Sequence, residues 1–386
     1  MLLLARRTAL KRALRVGPVV RHKTPDGVRI SAVVNGRQIW FESSEAELSP
    51  SPEAFGSALL IPAMHARLPL AIEQSVCAAW ANNLRHVADM AARWWNYPRL
   101  EPQLHPVVQR SPPHPATASC FSGGVDSFYT LLCGPRPPDM LVTAVGYDVE
   151  LGDAHRIAML KTSVRAVAAE SGRRAIFIRT NLRRHAVFRA IAWERSHGGA
   201  LAALGHLLSK EAGRLEISST WPSENAQPWG SRWDIDPFFS SRALTIDHVG
   251  SDLWRIAKLQ AIAHEDLVRR HLRVCWENRN ADANCCQCEK CLRTMLALAA
   301  CGQLEHYLQF HRGQGLLDKI DRFPRIPHLI IPSYESLLEK GLTGDCAAAV
   351  RRLLARSSEW RPPLFARVKQ WFSRRLPWLR AAGPAR

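Results

Sequence analysis

The chain has 386 residues, 47% of them hydrophobic and 22% charged. This excludes wholesale disorder and leaves room for a sizeable core in two or three domains. Lysine and arginine outnumber the acids 52 to 34, for a formal charge of +18 and a pI near 10, a balance that points to anionic partners such as nucleotides, nucleic acid or an acidic membrane. No apolar run reaches about 20 residues, so a spanning helix is not expected.

The basic charge is concentrated at both ends, in MLLLARRTALKRALRVGPVVRHK and RVKQWFSRRLPWLRAAGPAR, which read as solvated tails with RNA or membrane contact as the alternative. The opening lacks a long apolar core and a clear cleavage site, so it does not read as a signal peptide and a cytoplasmic location is expected. Residues 28–42 form two alternating apolar runs around Asn35-Gly36, the preferred pair for a two-residue hairpin turn. Residues 53–96 carry apolar side chains at three-and-four spacing and read as helix. The proline-rich stretch 100–115 reads as a linker closing an N-terminal α+β domain over 1–115.

Beyond it the pattern alternates. TASCF, MLVTAVGY (140–147), RAIFIRT (174–180) and RLEISST (214–220) read as strands, separated by helical stretches, the third of which is interrupted at Gly198-Gly199. Such alternation implies a parallel sheet. Ligands bind such sheets beyond the carboxyl ends of the strands, where two polar loops lie: SGGVDS (122–127) and WPSENAQPWGSRWDIDP (221–237).

SGGVDS has the physics of an anion cradle. Gly123 and Gly124 allow positive φ and close backbone approach, and successive N–H groups, including that of Val125, lead into a helix N-terminus. Ser122 and Ser127 add hydroxyls, and Asp126 is a candidate ligand for Mg2+. Neither GxxxxGK[ST] nor GxGxxG is present. Downstream, Cys275, Cys285, Cys288 and Cys291 offer four thiolates around a tight turn, a set suited to a closed structural Zn2+ site. An iron–sulfur cluster and unligated thiols are the alternatives. In the loop before them, Trp229, Gly230, Ser231, Arg232 and Asp236 combine a flat ring, a hydroxyl and both charges, a set that suits an aromatic or carboxylate substrate. Asp148 ends the second strand of the alternating region, and Arg179, Asn181 and His197 are weaker polar candidates. Ser251, Arg255 and Lys258 share one helical stretch.

SGGVDS resembles the PP-loop of the ATP pyrophosphatase superfamily, SGGxDS, matching at Ser122, Gly123, Gly124, Asp126 and Ser127. The cysteine pattern downstream is similar to that of the 7-cyano-7-deazaguanine synthases. The resemblance covers about residues 117–305 and implies a five-stranded parallel sheet with helices on both faces over 116–260. It further implies a zinc-binding lobe over 261–310, with a helical basic extension over 311–386 outside the family pattern. It implies ATP bound at 122–127 and Asp148, with Asp126 and a late lysine, Lys258, as catalytic residues. The implied chemistry is adenylation of a carboxylate or carbonyl oxygen with pyrophosphate release, followed by attack of ammonia or another nucleophile. A tRNA-thiolating or lysidine-forming type of PP-loop enzyme and a non-catalytic nucleotide- and zinc-binding protein are the alternatives. A homo-oligomer or a protein partner encoded nearby is compatible with the divergent ends.

Overall fold

The computed structural model describes residues 13–109, 112–225, 227–279, 282–313 and 315–358. Most of both basic tails therefore lies outside the described residues. The chain opens with β1 (Leu14–Val16), β2 (Val20–Thr24), β3 (Gly27–Val34) and β4 (Arg37–Ser43). Asn35 and Gly36, at φ 43° and 81°, turn β3 onto β4 as expected. Two positive φ values give a turn whose twist matches its strands, and the register runs from Val34 opposite Arg37 to Val28 opposite Ser43.

Residues 53–96 are not one helical stretch. They divide into α1 (Pro52–His65), β5 (Leu70–Cys77) and α2 (Ala78–Trp95). A short apolar run satisfies strand or helix equally. Here the partner decides: β5 lies parallel to β1, with Leu70 opposite Leu14. The proline-rich stretch also holds a strand, β6 (Gln103–Val107), at the sheet edge, where Pro106 is tolerated.

The alternating region comprises β7 (Thr117–Cys120), α3 (Val125–Cys133), β8 (Met140–Val145), α4 (Ala154–Glu170), β9 (Arg174–Thr180), α5 (Ala186–Ala190), α6 (Trp193–Leu207), β10 (Arg214–Ser218) and β11 (Thr245–Val249). These five strands are mutually parallel in the order β9-β8-β7-β10-β11, so the direction of winding reverses between β7 and β10. β9 then pairs antiparallel with β4, Phe41 opposite Thr180. The N-terminal strands thus extend the same sheet, which has eleven strands among the described residues and is mostly parallel.

Strand alternation sends Met140, Val142, Ile176 and Ile178 into a core with α1, α2 and α6, and Leu141 and Phe177 into a second core with α3, α4 and the C-terminal helices. Burial on both faces explains the near-continuous apolar runs of these strands. Gly198 and Gly199 do not interrupt α6. A Cβ on Gly198 would meet the Gly230 carbonyl oxygen at 2.0 Å, and one on Gly199 would meet that of Ser57 at 2.1 Å. Their absent side chains let α6 pack against α1 and against loop 221–237.

The C-terminal part contains α7 (Arg255–Ile262), α8 (Asp266–His271), α9 (Glu289–Ala300), α10 (Leu316–Arg322), α11 (Ile331–Glu339) and α12 (Gly344–Ser358). α7 begins at Arg255, so Ser251 precedes the helix. Among the described residues no helix is long and apolar enough to cross a membrane.

Candidate functional site

β7 ends at Cys120 and α3 begins at Val125, leaving a tight bend in which Gly123 sits at φ 76°, a conformation that glycine adopts without steric cost. Gly124 is the N-cap of α3, and no side chain caps the helix. The first-turn N–H groups and the positive end of the helix are therefore left for a ligand. Ser127 turns inward and its hydroxyl donates to the Gly124 carbonyl at 3.0 Å, so it braces the bend and does not point a donor outward.

The bend opens into a cavity of about 210 Å³ beside the reversal between β7 and β10. Ser122, Gly124, Val125, Asp126, Ser127 and Asp148 line it, and Gly123 forms the turn behind them. Arg255, Arg273, Lys290 and Thr294 stand on the C-terminal side. Phe121, Val142, Val149 and Leu160 add apolar lining, and Tyr147, Trp193 and His197 aromatic lining. Tyr147 and Trp193 meet edge-on at 5.0 Å. Burial first of all lowers the pKa of His197, keeping its ring neutral. Cys120 is pushed up to about 12, by burial and then by Asp236 and Glu216. It is a thiol at neutral pH and a poor nucleophile.

Asp126 is buried against its own charge, yet its pKa lies below the ordinary carboxylate value because Arg255 and Lys258 offset the burial. The Arg255 guanidinium bonds both its oxygens, reaching Oδ1 at 3.3 Å, and the Lys258 ammonium lies 3.7 Å from Oδ1. With both oxygens turned to cations, Asp126 does not fit the role of a Mg2+ ligand in this arrangement. Lys258 is 1% exposed, donates to the Ser219 carbonyl at 2.7 Å, and is not among the residues lining the cavity. It underpins Asp126 from behind.

The loop residues 229–236 are likewise placed outside the cavity lining. Ser231 Oγ donates to Asp236 Oδ2 at 2.6 Å, and His248 Nδ1 lies 2.7 Å from the same oxygen. Arg232 grips Asp234 with two bonds, of 2.8 and 2.6 Å, and stacks over Trp94. Gly230 abuts the Arg195 backbone. Trp229 touches the lining residue His197 edge-on, with ring centres 5.7 Å apart. Arg179 pairs with Glu42 and Asp26, and Asn181 bonds the backbone of Trp40 and Gln38, both at the seam between the two parts of the sheet.

Cys275, Cys285, Cys288 and Cys291 are buried with their sulfurs all within 4.8 Å of one another. The Cys275–Cys288 and Cys285–Cys291 separations are both 3.9 Å. A tetrahedron of thiolates about 2.3 Å from a zinc ion has edges of about 3.8 Å, so the geometry and the soft donor set fit Zn2+. Backbone N–H groups of Asn278, Cys288 and Cys291 point at the sulfurs of Cys275, Cys285 and Cys288, fixing the ligands as outer-shell donors do. Cys286, at φ 55°, turns away toward the Asn284 carbonyl. Four protein ligands close the site, which suits a structural ion that holds the lobe together.

Arg273, Lys290 and Thr294 were not singled out by the sequence reading. Their one visible signal is adjacency to the cysteines: Arg273 lies two residues before Cys275, and Lys290 sits between Cys288 and Cys291. Comparison of the chain with family models, with curated proteins and with solved structures gives no match.

Proposed function

We propose that the chain is an ATP-dependent enzyme of the PP-loop type, which adenylates a carboxylate or carbonyl oxygen and releases pyrophosphate. The observation that carries this reading is the position of SGGVDS. It forms an uncapped, glycine-turned helix N-terminus at the reversal in strand order, opening on a cavity with cations opposite. In this reading the phosphates lie against the amides of 124–127. The purine lies toward Phe121, Val142, Val149 and Leu160, and the acceptor toward Tyr147, Trp193 and His197.

The acceptor oxygen attacks the α-phosphorus, the bond from that phosphorus to the bridging oxygen breaks, and pyrophosphate leaves with both electrons of that bond. A nucleophile such as ammonia then attacks the activated carbon and AMP departs. The protein contributes positioning and charge neutralisation. Zinc on the four cysteines stabilises the lobe behind the cavity. The cysteine set favours an acceptor like that of the 7-cyano-7-deazaguanine synthases. The neutral Cys120 thiol counts against sulfur transfer through a cavity cysteine. The net charge of +18 favours RNA as the second reading for the acceptor.

A pyrophosphate-release screen over candidate acids and RNA, with wild type and Asp126→Ala compared, tests the proposal. Release that depends on a small acid is expected, and it should drop at least 10-fold in the variant, which unpairs the cavity-lining Arg255 and the Lys258 behind it. Release that needs RNA and falls steeply with salt selects the RNA reading. No release with any acceptor, or release untouched by the substitution, overturns the assignment of this site.

A further inference from the structure

We infer that the four-cysteine knuckle is the positioning device of an anion clamp: Arg273 and Lys290, held by the segments that carry the metal ligands, grip the phosphate chain in the cavity, so that metal occupancy and anion binding are coupled. This inference rests on the nucleotide reading above and assigns residues that the SGGVDS pattern does not reach.

The cations around the cavity divide into those already committed and those left over. Arg255 is spent on Asp126, and Lys258 on the Ser219 carbonyl and Asp126. Lys290 lines the cavity, and although its carbonyl accepts from the Thr294 hydroxyl, its ammonium has no hydrogen bond or ion pair with any described residue. Arg273 lines it too, and the one side-chain partner of its guanidinium is the neutral amide oxygen of Asn278, at 3.1 Å. Asp148, and for Lys290 also Asp126, lies near enough to attract these half-buried cations but forms no ion pair with either, and a phosphate chain supplies the direct counter-charge that each lacks.

The connection to the metal is covalent and short. Lys290 occupies the first turn of α9, whose N-cap Cys288 accepts from the Cys291 N–H. Arg273 N donates to the Gly123 carbonyl at 2.8 Å, stitching the bend before α3 to the strand of chain that runs into Cys275. Asn278 joins the two ends. Its N–H points at Cys275 Sγ at 3.3 Å, its side-chain oxygen holds Arg273, and its side-chain amide approaches the Asp148 carbonyl at 3.5 Å. A closed metal site therefore fixes, through one asparagine and one helical turn, both cations that lack an ion pair and the rim of the cavity. Loss of the ion frees all three together.

The test is calorimetric titration of ATP, and separately of inorganic pyrophosphate, into the full-length zinc-loaded chain and its Lys290→Ala, Arg273→Ala, Asn278→Ala and Lys290→Arg variants. Zinc content is measured on each sample. Each alanine variant at 273 or 290 is expected to bind both probes at least 10-fold more weakly while retaining one zinc per chain, and Lys290→Arg to restore most of the affinity. Asn278→Ala is expected to weaken binding although its side chain is not part of the clamp. Reciprocally, saturating pyrophosphate should slow zinc loss to a chelator. Equal affinity of wild type and the alanine variants with zinc retained, or a chelation rate indifferent to pyrophosphate, overturns the clamp and leaves the nucleotide reading standing. A wild-type chain that binds neither probe overturns both.

Discussion

Two loops leave the carboxyl ends of neighbouring parallel strands, β7 and β10, with much the same residue types: glycine, serine, aspartate and an arginine nearby. At 121–127 the glycines sit at the turn and the N-cap, the helix behind is uncapped, and the amides face open space. At 227–236 most of the polar side chains are engaged within the protein: Ser231 and His248 share one oxygen of Asp236, and Arg232 takes Asp234 and the Gln227 carbonyl, while Trp229 Nε1 and the other Asp236 oxygen are buried without a hydrogen bond. The difference teaches that a polar, glycine-containing loop becomes a binding site where donors are left over and an anchor where they are consumed.

The largest expected effect breaks the anchor. Asp236 is fully buried, and replacing it with alanine strands the Ser231 hydroxyl and the His248 ring. We expect Asp236→Ala to lose about 3–5 kcal/mol of stability in denaturant unfolding, with pyrophosphate affinity of the folded fraction unchanged. A loss under 1 kcal/mol accompanied by a large loss of affinity would mean that loop 227–236 belongs to the site after all.

How far this contrast was legible in the sequence follows from what each signal contains. Contiguous signals were readable. Asn35-Gly36 specifies its own turn, RAIFIRT is a buried strand bounded by turn residues, and SGGVDS carries bend and helix start within six positions. Residues 70–77 were not, because LAIEQSVC fits either period until β1 lies beside it. β11 escaped because TIDHV alternates too briefly to stand out. The clamp was invisible for another reason: Arg273 and Lys290 reach the bend at 123 only through the folded lobe. The loop at 229–236 misled because composition lists donors and does not record which are already used.

A second prediction sharpens the comparison inside the sheet. Glu216, on the strand leading to the anchor loop, is fully buried with neither oxygen hydrogen-bonded, and burial, then Asp247, pushes its pKa up to about 7. Asp126 is held in the opposite direction by Arg255 and Lys258. For Glu216 the neutral acid is the stable form in the fold. Its stability is fully present below the unfolded value of 4.5 and is lost as pH rises through about 7. The cost levels off at about 3 kcal/mol. Glu216→Gln should therefore gain about 2–3 kcal/mol relative to wild type between pH 5 and pH 9. Parallel unfolding curves at the two pH values check this, and a pH-independent difference would show that Glu216 does not titrate in that window.

The smallest effect on stability is the most discriminating, and it sets one glycine against the other. A Cβ at Gly230 would lie 2.5 Å from the Arg195 backbone, where nothing flexible can yield. A Cβ at Gly124 would meet the Ser122 hydroxyl at 3.3 Å and, at an ordinary contact distance of 3.8 Å, the Arg273 carbonyl oxygen, and the backbone there is in an ordinary extended conformation. Gly230→Ala should cost about 2–3 kcal/mol through overpacking and leave pyrophosphate binding intact in the folded protein. Gly124→Ala should cost less than about 1 kcal/mol, since a displaced hydroxyl rotates. Yet it puts a methyl group where an anion approaches the N–H groups of 124–127, and should weaken pyrophosphate binding about 10-fold or more, or about 1.4 kcal/mol. Thermal melts and titrations on the same two samples read both quantities. If the two variants lose stability and affinity in equal proportion, the two loops do not differ in kind and the bend before α3 is only another anchor.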